Sequence, residues 1–184
     1  MSAIKLKVKK ASGEYDPGAS KFLGGPTIPS EWEKIFSNET IFLMQIRLSD
    51  IKDLDKENKL PHEGYLYIFL DTKDSEYNLK PIVKYYNGQP DTWLEGFNEI
   101  VDGYEEYVDD YLIEFEECDE LENGMKLLGK PNDWNYAEES DELLLQFDPL
   151  DSEMGIFSHL DGYIYIFLPK EKKFEKAYIK EEIS

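Results

Sequence analysis

The heptapeptide Gly64-Tyr65-Leu66-Tyr67-Ile68-Phe69-Leu70 recurs almost unchanged, 98 residues further on, as Gly162-Tyr163-Ile164-Tyr165-Ile166-Phe167-Leu168. Side chains of an extended chain alternate between two faces, so each copy presents aromatic residues on one side and aliphatic residues on the other. A strand that is apolar on both faces needs cover on both, which places it in the middle of a sheet rather than at an edge. A buried tyrosine must in addition find a hydrogen-bond partner for its hydroxyl.

Other landmarks repeat in the same order. Phe22-Leu23-Gly24-Gly25-Pro26 is answered by Leu127-Leu128-Gly129-Lys130-Pro131, Trp32 by Trp134, and Phe42-Leu43-Met44-Gln45-Ile46 by Leu143-Leu144-Leu145-Gln146-Phe147. Each half is thus a Gly/Pro loop, a strand carrying one glutamine and a two-faced strand, and neither half can bury that last strand alone. The expected architecture is a single domain over 1–184. It is mainly β with minor α content, an internally duplicated β roll or sheet assembly with one or two peripheral helices. The repeat halves cover about 20–90 and 125–184, and an acidic helical or strand insert covers about 91–122. Within the insert, Leu94, Phe97, Ile100, Val101, Tyr104, Tyr107 and Val108 recur at intervals of three and four, which predicts a helix weakened by Gly96 and Gly103. Alternation resumes at Tyr111 and predicts a strand. Met1 to Lys10, with Ile4, Leu6 and Val8 between lysines, reads as a half-exposed strand, and the tail from Lys170 as an edge strand or short helix.

Taken as a set, these motifs resemble the YwqG-like family of bacterial proteins of unknown function. The resemblance rests on the Gly24–Pro29 loop, the Leu43–Ile46 strand, the Leu60-Pro61 turn into the aromatic strand ending at Asp71, and the later Leu127–Pro131 loop and Leu143–Phe147 strand, so that it spans most of Ser20 to Leu168. It implies a mainly β roll with an internal duplication and brings no established catalytic residues. The chain departs from the family's pattern in the second turn, where Phe157-Ser158-His159-Leu160-Asp161 stands in place of a Trp-Gly-Asp-like element, and in being short.

Forty acidic residues against twenty basic ones give a formal net charge of −20. Such a field repels phosphate backbones and anionic headgroups, which argues against nucleic acid and membrane as partners, and it attracts basic proteins. Surplus surface acid also serves solubility alone. No apolar run reaches membrane-spanning length, and Met1 to Lys10 lacks the apolar stretch of a signal peptide. The single cysteine, Cys118, cannot form an intramolecular disulfide, which suits a reducing, cytoplasmic setting; acids around it disfavour its thiolate.

Three groups of residues are candidates for function. His62 and His159 precede the twin strands at matching ends, where a pair could serve acid–base or metal chemistry with Glu63 or Asp161, although no His-Glu-x-x-His spacing exists, and neither a metal nor a cofactor is assigned. Gln45 and Gln146 stand at equivalent places in apolar strands; each must be hydrogen-bonded, either to backbone or a tyrosine hydroxyl, or as amides lining a pocket between lobes. Such a pocket would be lined by Gln45, His62, Tyr67, Gln146, His159 and Tyr165. The third group is the acidic belt of Tyr104, Glu105, Glu106, Tyr107, Asp109, Asp110, Tyr111, Glu114, Glu116 and Glu117, which reads as a solvated face or as an interaction surface for a basic protein. The belt and the missing catalytic motifs favour a non-enzymatic binding protein, for example an immunity or regulatory factor. The rival is a small-molecule binder or an enzyme with a site between the halves; the sequence leaves the oligomeric state open.

Overall fold

The computed structural model describes residues 2–73, 79–132, 141–148, 162–171 and 173–181. The protein is mainly β. Its strands are β1 (Ser2–Lys10), β2 (Lys21–Phe22), β3 (Thr27–Ile28), β4 (Thr40–Arg47), β5 (Tyr65–Asp71), β6 (Lys80–Tyr86), β7 (Thr92–Trp93), β8 (Tyr111–Asp119), β9 (Lys126–Leu127), β10 (Glu142–Phe147), β11 (Ile164–Leu168) and β12 (Tyr178–Glu181). Ten of them follow the hydrogen-bonded order β12-β11-β10-β9-β1-β8-β2-β4-β5-β6, and β3 pairs with β7 in a small second sheet.

The chain forms two compact units. One comprises Val8–Asp50 and Pro61–Ile113 and is here called the Gln45 unit; the other comprises Met1–Lys7, Ile51–Leu60 and Glu114–Ser184 and is called the Gln146 unit. In the Gln45 unit, β5 is buried along Tyr65–Leu70, as its two apolar faces require, with β4 on one side and β6 on the other. The aromatic face stacks Tyr65 on Tyr67 and Tyr67 on Phe69 at ring separations of 6.1 and 6.3 Å, and Trp32 meets Tyr67 edge-on at 5.5 Å. Each of these large side chains contributes about 1.5–3 kcal/mol by leaving water. In the Gln146 unit, β11 is buried along its whole length between β10 and β12. Tyr165 and Phe167 pack there with Leu143.

The helix expected over residues 94–108 does not form, and among the described residues only short 3-10 turns occur, here Phe97–Ile100. Gly96 and Gly103 adopt φ of 65° and 82°, outside the helical region. From Asn98 to Tyr107 the chain winds by successive three-residue turns: Val101 N–H to Asn98 O, Tyr104 N–H to Val101 O and Tyr107 N–H to Tyr104 O, at 3.1, 2.9 and 3.0 Å. A winding with a step of three buries every third residue, which mimics a helical period in the sequence. It also leaves Ile100, a member of the supposed apolar stripe, 72% exposed.

Candidate functional site

The duplicated residues form the same cross-strand ladder in each unit. In the Gln45 unit Lys21 lies opposite Gln45 and Gln45 opposite Tyr67; in the Gln146 unit Lys126 lies opposite Gln146 and Gln146 opposite Tyr165. All six side chains are buried. Both glutamine strands carry an irregularity two residues earlier, between Phe42 and Met44 and between Leu143 and Leu145. The bulged residue's carbonyl accepts the N–H of a leucine in the Gly/Pro loop: Leu23 to Leu43 O at 2.8 Å, Leu128 to Leu144 O at 3.3 Å. Those leucines have φ of 56° and 61°, a left-handed conformation that a β-carbon disfavours by about 1–2 kcal/mol. The same strained residue therefore recurs at the same place in both repeats.

The glutamine amides hold these loops. Gln45 Oε1 accepts the Thr27 N–H at 2.8 Å, and its Nε2 donates to Ala19 O and Pro17 O at 2.8 and 3.0 Å. Gln146 Oε1 accepts the Asn132 N–H at 3.2 Å, and its Nε2 donates to Gly124 O and Glu122 O at 2.9 and 3.4 Å. Thr27 and Asn132 each follow the loop proline, so the two amides clamp equivalent main-chain groups. Tyr67 donates its hydroxyl to Thr27 O at 2.7 Å, and burial pushes its ionisation upward. Of the two readings of the glutamines, the one with backbone partners describes both: their polar atoms turn to main chain within their own unit.

Two buried lysines complete the ladders. Lys21 Nζ donates to Asp110 Oδ2 at 2.7 Å, with side-chain exposures of 0% and 3%. Asp110 Oδ1 accepts the Gly25 N–H at 2.8 Å, and Tyr15 donates its hydroxyl to Oδ2 at 2.9 Å, its pKa pushed up to about 12 by burial and then by Asp110. In the Gln146 unit the corresponding acceptor is a main-chain oxygen: Glu120 O takes Lys126 Nζ at 3.0 Å and the Lys130 N–H at 2.9 Å. Burial lowers both ammonium pKa values, that of Lys126 to about 8.

Asp110 also closes the acidic loop of residues 94–110. A Cβ on Gly24 would fall 1.6 Å from Asp110 Oδ1 and one on Gly25 would fall 2.2 Å from Leu94 O, so both loop ends sit on this glycine pair. Leu94 N–H bonds Pro26 O at 2.9 Å. Inside the loop, buried Asn98 accepts the Phe42 N–H at 2.7 Å and donates to Phe42 O and Tyr107 O at 3.1 and 3.0 Å. Outward stand Glu95, Glu99, Asp102, Glu105, Glu106 and Asp109 with exposed Ile100 and Val108, and the loop contains no basic residue.

The belt expected to face solvent is corrected at two positions: Asp110 and Tyr104 are buried, the first as the Lys21 counter-ion and the second within the run of three-residue turns. Tyr107 is half-buried against Tyr104, and Tyr111 lies on β8 opposite Phe22. Three carboxylates are neutralised within their own units: Asp109 by Lys10, Glu116 by Lys7 and Glu117 by Lys56. Glu105, Glu106 and Glu114 are exposed. In the Gln146 unit, Lys5, Glu116, Glu117, Cys118, Asp119 and Glu122 line an open polar concavity of about 530 Å³. Burial raises the Cys118 thiol pKa there, and Glu122 adds to it.

His62 is half-buried in the turn before β5, whereas His159, Asp161 and Trp134 lie outside the described residues. Among the described residues no group of three His, Cys, Asp or Glu side chains is placed to hold a metal, and no helix is long and apolar enough to cross a membrane. Lys21, Lys126 and Asn98 were not expected from sequence. The lysines had a signal: each precedes an apolar-Leu-Gly run, 105 residues apart. Asn98 had none. Neither a protein-family model nor a curated protein sequence matches the chain.

Proposed function

We propose that the protein is a non-enzymatic, acidic binding protein of the cytoplasm that engages a basic protein partner through the loop of residues 94–110, as an immunity or regulatory factor does. The observation that carries this reading is the pinned loop itself. Six exposed carboxylates, of which Asp109 is paired with Lys10, and two exposed aliphatic side chains stand on a main chain fixed at Asn98 and Asp110. Carboxylates steer a basic partner into contact, apolar side chains supply desolvated area, and a preformed loop avoids the ordering cost of binding. The formal charge of −20 extends the steering field. The rival small-molecule pocket loses support, because Gln45, Tyr67 and Gln146 spend their polar atoms on main chain. The motifs that resemble the YwqG-like family support the duplicated β reading and assign no chemistry.

The test is affinity capture with mass spectrometry at low and raised ionic strength, using the wild type and a variant carrying Glu99→Gln, Asp102→Asn, Glu105→Gln and Glu106→Gln. A basic polypeptide retained only by the wild type and released by salt is the expected result. Equal retention by the variant, or capture of acidic polypeptides alone, overturns the proposal.

A further inference from the structure

We propose that the turn of residues 119–124 is a proton-operated element pinned by the Lys126 ammonium: it changes shape when that side chain gives up one proton, whereas the Gly/Pro loop of the Gln45 unit, Leu23 to Thr27, held by the Asp110 carboxylate that pairs with Lys21, does not. An ammonium has three N–H donors and no acceptor. Lys126 Nζ meets three oxygens, Glu122 O at 2.7 Å, Glu120 O at 3.0 Å and Asn132 Oδ1 at 3.1 Å, so donors and acceptors match one to one. A neutral amine keeps two donors and turns a lone pair toward the third oxygen, which repels it. One of the three contacts must then open.

The charged groups around Lys126 do not supply a counter-ion. Glu122 gives its carboxylate to Lys5, which lies opposite Lys126 on β1, and Glu120 gives its own to Lys130. Cys118 on β8, with Glu122 and Glu120, acts on Lys126 through space and raises its pKa, but burial outweighs all three; β10 contributes the uncharged Gln146. Among the described residues no carboxylate lies within ion-pair distance of Lys126, and its side chain is fully buried. Lys21, its counterpart, has Asp110 at 2.7 Å. Burial brings Lys126 to about 8, so the proton leaves under mildly alkaline conditions. The opening spreads because Glu122 O is shared with Gln146 Nε2 and Glu120 O with the Lys130 N–H. Asp119 and Glu122, both within this stretch, line the open concavity, whose outline therefore follows the proton.

The experiment is NMR titration of the whole chain from about pH 6 to about pH 10, reading the Lys126 side-chain shifts and the backbone amides of residues 119–124 and Lys130. All are expected to move together with a midpoint of about 8, while the amides of Leu23 to Thr27 stay in place. Lys126→Met abolishes the step and Cys118→Ala leaves it. A step that survives Lys126→Met or disappears with Cys118→Ala belongs to another group and overturns the proposal. Should Lys126→Met not fold, the wild-type titration decides alone: a Lys126 side chain that fails to titrate below about pH 10, or turn amides that ignore it, also overturns it.

Discussion

Asp110→Ala removes the anion from beside a lysine with no exposed surface, and its cost follows from what is left behind. Lys21 Nζ loses the partner it holds at 2.7 Å, Gly25 N–H loses its acceptor at 2.8 Å and the Tyr15 hydroxyl loses its own at 2.9 Å. A buried charge stranded by removal of its partner costs about 3–5 kcal/mol, and an orphaned amide about 1–3 kcal/mol. The groups share one site, so the terms do not add, and about 3–5 kcal/mol is expected overall. Lys21→Met in the same background removes the stranded charge and is expected to restore about 2 kcal/mol or more. Urea denaturation followed by far-UV circular dichroism, compared at equal m-value, measures both. A single-variant cost below about 1 kcal/mol, or a double variant whose cost is the sum of the two singles, refutes a buried ion pair that secures the acidic loop.

Gly25→Ala puts a β-carbon 2.2 Å from Leu94 O and is expected to lower the thermal midpoint far more than Gly13→Ala, which meets nothing within 4 Å and carries only its backbone strain. Gln45→Leu and Gln146→Leu are each expected to cost about 1–3 kcal/mol in urea denaturation, because each leaves a loop amide without its acceptor. For Lys126 the folded pKa of about 8 lies below its ordinary 10.5, so between those values the unfolded chain binds more protons and stability rises with pH. The gap is worth at most about 3 kcal/mol, and the difference between wild type and Lys126→Met over that window isolates it from the other lysines. A stability that falls more steeply with pH in the wild type than in Lys126→Met contradicts the assignment.

The twin aromatic strands were legible because period-two apolarity on both faces admits few placements, and the structure buries Tyr65–Leu70 and Ile164–Leu168 accordingly. The glutamines were legible as buried and bonded, since an amide among Leu, Met and Phe leaves no other economical arrangement. Their partners were not, because main-chain carbonyls have no letter in the sequence. In the sequence only their recurrence before an apolar-Leu-Gly run sets Lys21 and Lys126 apart, and the acceptors that permit their burial come from Asp110 and from the Glu120 and Glu122 carbonyls, one of them 89 residues away. The segment from Leu94 to Val108 misled for a definite reason. Three-residue turns and an α-helix share a near-identical apolar spacing over a short window, and the left-handed glycines that separate them register in sequence only as weak helix formers.

The polar residues matched between the repeats, Gln45 with Gln146 and Lys21 with Lys126, are internal ties. The most direct test is the exchange of the Gln45 and Gln146 side-chain amide protons with solvent, followed by NMR on the intact protein. Both pairs of protons are expected to exchange slowly, since each Nε2 donates to two main-chain carbonyls. Exchange at the rate of an exposed glutamine, at either position, would contradict it.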